Sequence, residues 1–208
     1  MKATYMNIDR SMSEAARRAM KVTQKIMDNY KTGFYTDEDD ITGALVGALG
    51  SKMSGTISGL SWSASILRHR SGIAAEEKKY GADMLFHIEV NTRGVSFSKG
   101  VLIQAKRTDK VSLMSKNDKQ DLDEQCQKML MQTSSSYVFN YTKRGMKCGA
   151  ANRVQGSRSR KLSDDCTVTP YRFFYEFFRS PIGDPRFSSG LVKEMPVPTI
   201  LSFSAIVE

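Results

Sequence analysis

Cysteine is scarce: three residues in 208, at Cys126, Cys148 and Cys166. They are odd in number, far apart and never in a CxxC pair, which excludes a disulfide framework and fits reduced thiols. With only two histidines, His69 and His87, and no CxxC pair, a structural zinc site is not expected. No run approaches the roughly 20 apolar residues that cross a bilayer, so no membrane partner is expected. The opening residues MKATYMNIDRSMSEAARR have no apolar signal core, so a cytoplasmic location is expected. In GALVGALGSKMSG no glycine stands at Walker spacing before a GK[ST], so nucleotide hydrolysis by a phosphate loop is unsupported. Serine-histidine and cysteine-histidine pairs are not evident either.

What the chain does have is positive charge. Lys and Arg number 31 against 22 acids, a net +9, and such an excess favours a polyanionic partner. Hydrophobic residues at 40% and charged residues at 25% describe an ordinary globular protein. One domain over 1–208 is the simplest division, with a helical N-terminal part over 1–50 and a core at about 36–142.

Ala15, Ala19, Val22, Ile26 and Tyr30 recur at helical spacing over 11–30. A second helix is expected from Thr36, a threonine cap followed by acids, with Ile41, Leu45 and Ala48 inward. Alternation around Leu60, Trp62 and Ala64 suggests one strand in GTISGLSWSASIL. MLFHIEV and VLIQAKR are clearer strands, set off by NTRG and SKG turn signals. Leu122, Cys126 and Met129 mark a later helix, and SSYVFNYT and TILSFSAIV further strands. The stretch Lys143–Lys161 carries seven basic residues and no acid; it reads as a loop or strand-loop-strand rather than a helix. Trp62 and the aromatic run at 171–178 are expected in the core. The whole is an α/β or α+β pattern around a central mixed sheet.

The chemistry concentrates in YGADMLFHIEVNTRGVSFSKGVLIQAKR. Strand alternation puts Gln104 and Lys106 on one face, with Ile103 and Ala105 on the other. A hairpin-like return of the preceding strand brings Asp83 beside them. A carboxylate, an amide oxygen and an ammonium then converge at one end of a sheet. Phosphodiester hydrolysis uses such groups: magnesium takes hard oxygen ligands, and a lysine positions water and offsets developing charge.

GAD followed by a strand reading IQAK resembles the PD-(D/E)xK nuclease superfamily in its QxK variant, known from restriction-type and prokaryotic defence nucleases. The match spans roughly Glu38 to Tyr141. The resemblance implies a restriction-endonuclease-like α/β core, a central mixed sheet flanked by helices. It implies Asp83 as principal metal ligand, Gln104 in place of the second acid, Lys106 as catalytic lysine, and Mg2+ or Mn2+ as cofactor. An acid from the preceding helix completes the set: Glu38, with Asp40 as the alternative and Glu77 and Glu89 as further candidates. Gln125 and Lys128, on the helix after QxK, face the site on that pattern.

The same resemblance implies a DNA endonuclease acting as effector of an anti-phage system. A partner protein, such as an ATPase, a helicase or a sensor subunit, would restrain or load it, and self-association is open. The neutral Gln104 keeps a non-cleaving nucleic-acid-binding subunit as an alternative, and an RNA-directed nuclease is another. Within the basic stretch, Arg153, Arg158, Arg160 and Lys161 are either a DNA-backbone clamp or a solvated loop. His87 shares the strand parity of Asp83, a position more often packed or exposed than catalytic.

Overall fold

Small side chains shape the first helix of the computed structural model, which describes residues 2–68, 80–108, 113–179 and 181–207. His69 and Glu77 lie outside the described residues. Helix α1 (Lys2–Lys31) buries Met12, Ala15, Ala16 and Ala19, then Ile26, Met27 and Tyr30. Helix α2 (Glu38–Lys52) is capped by Asp37, not Thr36, and the Asp37 carboxylate accepts from the Asp40 N–H at 2.8 Å. Carboxylates are the stronger caps at this position. Its buried stripe runs through Ile41, Leu45, Val46 and Leu49, whereas Ala48 is half-buried.

The segment expected as one strand is a hairpin, β1 (Gly55–Ile57) and β2 (Leu60–Arg68). Ser58 and Gly59, at φ 46° and 87°, make its tight turn; two positive φ values in a row match the twist of paired strands. Strands β3 (Met84–Thr92) and β4 (Val95–Arg107) turn at Arg93–Gly94 and are longer than their sequence signals. Ser98, Lys99 and Gly100 lie inside β4 and form no turn. Gly100 instead permits a close approach. It exchanges backbone hydrogen bonds of 3.1 and 2.8 Å with Asp184, and a Cβ there would stand 2.9 Å from Phe187 Cβ.

Helix α3 (Lys116–Gln132) starts at a Ser115/Asp118 capping box and carries the crossover to β5 (Ser136–Thr142), which parallel pairing with β4 requires. Strand β6 (Gly145–Ala150) follows, then helix α4 (Ala151–Gly156). The basic stretch therefore includes a short helix, contrary to its glycine- and serine-rich appearance, because Ala151 and Val154 bury themselves against the sheet. A 3-10 turn at Leu162–Asp164, α5 (Pro170–Arg179), α6 (Ser189–Val192) and β7 (Thr199–Ile206) complete the chain.

The sheet order is β1-β2-β7-β3-β4-β5-β6. Strand β7 pairs parallel with β3, and β5 with β4; the other pairs are antiparallel. The protein is thus α/β, a mixed seven-stranded sheet with helices on both faces. On one face α1, α2 and α5 cover a core in which Phe86 meets Phe139, Phe174 and Phe203. Phe173, Phe174, Phe177 and Phe178 of α5 are all buried there, as is Trp62, whose indole N–H donates to Ser11. On the other face α3, α4 and α6 cover Leu85, Leu102 and Val138. Among the described residues no helix is long and apolar enough to cross a membrane.

Candidate active site

Strand β4 outruns its neighbour. The pairing with β3 ends at Met84 opposite Ile103, so beyond that point the backbone N–H groups of Ala105 and Arg107 face no strand partner. Buried backbone donors need acceptors, and two carboxylates supply them. Asp83 Oδ2 accepts from the Ala105 N–H and Glu38 Oε2 from the Arg107 N–H, each at 2.7 Å. Alternate N–H groups of a strand lie about 7 Å apart. The two acids are thereby anchored side by side along β4, one from the sheet and one from α2.

Each acid has a local reason to be there. Gly81 takes φ 68°, and its missing side chain lets the chain lie against the α3 backbone: a Cβ would meet the Gln125 carbonyl oxygen at 2.4 Å. Two residues on, Asp83 is tied to β4 by its own N–H donating to Ile103 at 3.0 Å. Glu38 sits in the first turn of α2, which the Arg107 guanidinium fastens by donating to the Thr36 carbonyl. One turn later Thr42 donates to the fully buried Tyr141 hydroxyl at 3.3 Å. Sequence pattern singles out neither Thr42 nor Tyr141 as part of this site; a lone tyrosine in a strand carries no local signal of its partner.

Gln104 is 1% exposed, and its Nε2 donates to Asp83 Oδ2 at 2.7 Å. Its Oε1 is buried without any donor. The Lys106 ammonium lies 3.7 Å from Glu38 Oε1 and keeps about a quarter of its surface open. Burial pushes the Asp83 carboxyl up to about 7, with the Glu38 charge adding to the rise, against the Ala105 N–H, Lys106 and Gln104. Burial also raises Glu38, opposed by Lys106 and the Arg107 N–H. Burial raises the Tyr141 phenol as well. The structure thus brings together Asp83, Gln104, Lys106 and Glu38.

Other candidates fall elsewhere. Asp40 is exposed, and only its backbone contacts the cap; Glu38 is the α2 acid that reaches β4. Glu89 shares the β3 register but stands six residues past Asp83, about 20 Å along a strand, where it accepts from Ser189 at 2.7 Å. His87 is 3% exposed, bonds Ser98 at 2.8 Å and is lowered by burial to about 4. It packs in the sheet, away from the acids. Gln125 Oε1 is buried without a donor, next to Gly81, and Lys128 is half-buried on the same helix.

Of the four basic residues read as either a clamp or a solvated loop, Arg153 and Lys161 both meet Asp164. Arg153 donates to the Asp164 carbonyl at 2.9 Å, and Arg160 to the Met114 carbonyl at 3.2 Å. Arg158 is exposed, and Lys161 lines a cleft beside the end of β5.

A divalent cation suits the acid end of β4. Among the described residues no three His, Cys, Asp or Glu side chains cluster as a metal site; the oxygen groups gathered here are the carboxylates of Asp83 and Glu38 and the amide of Gln104. All are hard oxygen atoms of the kind magnesium and manganese take. The orphaned Gln104 Oε1 and the desolvated Asp83 are both groups that a cation would satisfy.

The raised Asp83 carboxyl gives the metal-free protein a pH dependence of known sign. The folded state holds this proton up to about 7, whereas an unfolded aspartate releases it near 3.9. Folding stability is therefore fullest below about pH 4 for this group and declines as pH rises to about 7, by about 2–4 kcal/mol. Asp83→Asn should remove that part of the decline, read as urea midpoints across pH in chelator. The same slope in wild type and variant would assign the decline to other groups.

No protein-family model, curated protein or solved structure matches this chain.

Proposed function

We propose that the protein is a metal-dependent nuclease that hydrolyses DNA phosphodiester bonds at the end of β4. One observation carries the reading. Two carboxylates, Asp83 and Glu38, are fixed on alternate N–H groups of one strand, with the Lys106 ammonium beside them and a donorless amide oxygen on Gln104. The order of parts supports it: a helix bearing an acid, a strand opened by GAD, an antiparallel strand ending in QxK, then a helix packed against the GAD turn. That order accords with a restriction-endonuclease-like core of the PD-(D/E)xK kind. The net charge of +9 suits a phosphate polymer.

In this reading Asp83, Glu38 and Gln104 would hold Mg2+ or Mn2+, which when bound would supply Lewis acidity and make water a better nucleophile at neutral pH. Lys106 does the remaining work of the chain. Its ammonium donates to the attacking water and so orients a lone pair at phosphorus, and its charge offsets the negative charge that builds on the phosphate oxygens. Glu38, 3.7 Å away, keeps that ammonium at the mouth of the site. As the water oxygen bonds to phosphorus it releases one proton to solvent, the bond to the leaving sugar oxygen breaks, and a solvent proton neutralises that oxygen. The role as effector of a defence system, under control of a partner subunit, belongs to the same proposal and rests on the motif resemblance.

Purified protein incubated with supercoiled plasmid should nick or linearise it with magnesium or manganese and leave it intact with chelator. Parallel incubations with single-stranded DNA and RNA fix the substrate. Cleavage of RNA alone would make it a ribonuclease. Tight binding without cleavage under either metal would leave a binding subunit in which Gln104 has replaced an essential acid.

A further inference from the structure

A second site lies one step across the sheet from Lys106. The pairing registers set Lys106 opposite Asn140 on β5, and Asn140 opposite Lys147 on β6. Register partners share a face, so these three side chains form one row, with Lys106 and Lys147 about 10 Å apart at the backbone. The row opens onto a cleft of about 650 Å³ walled by Thr108, the β5–β6 turn and the 3-10 segment. Lys143, Arg144, Lys147 and Lys161 line it. Lys161 is the only one of the four with an acidic partner among the described residues, Asp164 at 3.9 Å, and no carboxylate lines the cleft among them.

Asn140 forms part of the inner wall. It is 1% exposed, and its Oδ1 accepts from the Thr108 hydroxyl at 2.7 Å. Thr108, Thr142, Ser163 and Thr167 add hydroxyls, Leu162, Cys166 and Gly145 fill the rest of the lining, and no aromatic ring contributes to it among the described residues. Bases are held by stacking on aromatic faces. A cleft lined by four cations, four hydroxyls and an amide, with no such face, suits phosphate and sugar, which position a nucleic acid without reading its sequence.

We infer that this cleft, walled by Asn140, Lys147 and Lys161, is a phosphodiester-backbone subsite that holds the strand about three nucleotide steps of duplex rise from the bond at Lys106. The inference rests on the nuclease reading for its placement and not for its binding chemistry. Lys106 then meets the reacting phosphate, while the cleft grips a phosphate about three steps along the same strand. The β5–β6 register fixes the spacing between them.

The test is made in chelator, where no cutting is needed. Affinity of a labelled DNA duplex is measured by anisotropy across a salt series. Lys147→Gln with Lys161→Gln should reduce the slope of log affinity against log salt by about two units, roughly one for each phosphate no longer neutralised. Both lysines are exposed, so the fold should tolerate the exchange. Lys21→Gln with Lys25→Gln, exposed on α1 over the opposite face, should leave the slope unchanged. Inorganic phosphate is titrated separately and should bind only weakly. An unchanged slope in the cleft variant overturns the subsite whether or not the wild type cuts DNA, as does a wild type that binds no DNA. Tight binding of inorganic phosphate at this cleft would make it a small-anion site and overturn it too. A reduced slope in a protein that never cuts would retain the subsite and remove the nuclease reading.

Discussion

Lys106→Ala should lower the rate of metal-dependent DNA cleavage by roughly 10³-fold, the usual scale for removing one donor to a developing anion. Folding and affinity should change little. The Lys106 side chain is a quarter exposed, and its ionic contact to Glu38 is a loose 3.7 Å; such pairs contribute about 1 kcal/mol or less. It is one of 31 basic residues for binding, but among the described residues it is the one set beside both carboxylates of the site. Single-turnover cleavage with saturating protein isolates the chemical step, and thermal melting with DNA anisotropy checks the rest. Lys106→Met, which keeps the apolar stem, should be as slow as the alanine variant. Normal cutting by either folded variant would remove Lys106 from the mechanism and leave the acids as a structural cap on β4.

Gly81→Ala should be the most damaging single methyl in the site region, at about 3 kcal/mol. Two costs add. A left-handed φ of 68° penalises any residue with a Cβ by about 1–2 kcal/mol. The new carbon would also stand 2.4 Å from the Gln125 carbonyl oxygen and 2.9 Å from its Cα, so the α3 backbone itself must shift, an overpacking cost of about 1–3 kcal/mol. Because Asp83 follows two residues later, the same shift moves a carboxylate that now sits 2.7 Å from the Ala105 N–H. Cleavage should therefore fall further than the loss of folded protein explains. Gly145→Ala is the control: φ is 122°, but nothing lies within 4 Å of its Cβ position, so only the conformational part should remain. Urea unfolding of both variants separates the two costs. Equal destabilisation would show that the approach to α3 is not tight.

Local pattern carried the long elements. The alanine steps of α1, the acid-rich start of α2 and the Leu122–Cys126–Met129 spacing of α3 each reflect one buried face, and burial of one face is what sequence periodicity records. Two of the misjudged elements involve contacts distant in sequence, and one is a local turn. Ser98–Gly100 looks like a turn because glycine is usually conformational, yet Gly100 is there to admit Phe187 and the Asp184 backbone. Ser58 and Gly59 turn a hairpin inside what alternation renders as one strand, since serine does not announce a positive φ. The helix Ala151–Gly156 forms in a stretch with no side-chain cap at its start, supported by tertiary burial of Ala151 and Val154.

The sequence by itself determined the net positive charge, the absence of CxxC pairs, and the shared strand face of Gln104 and Lys106, because composition and period-two alternation are local properties. Tertiary structure decided which acid joins them. Glu38 and Asp40 are two residues apart on α2, and only the overhang of β4 past β3, with its free Arg107 N–H, selects Glu38. It also decided that β7 enters the sheet between β2 and β3, and that Asn140 and Lys147 continue the row begun at Lys106. Register between strands far apart in the chain depends on how whole faces pack, and no single segment carries that information.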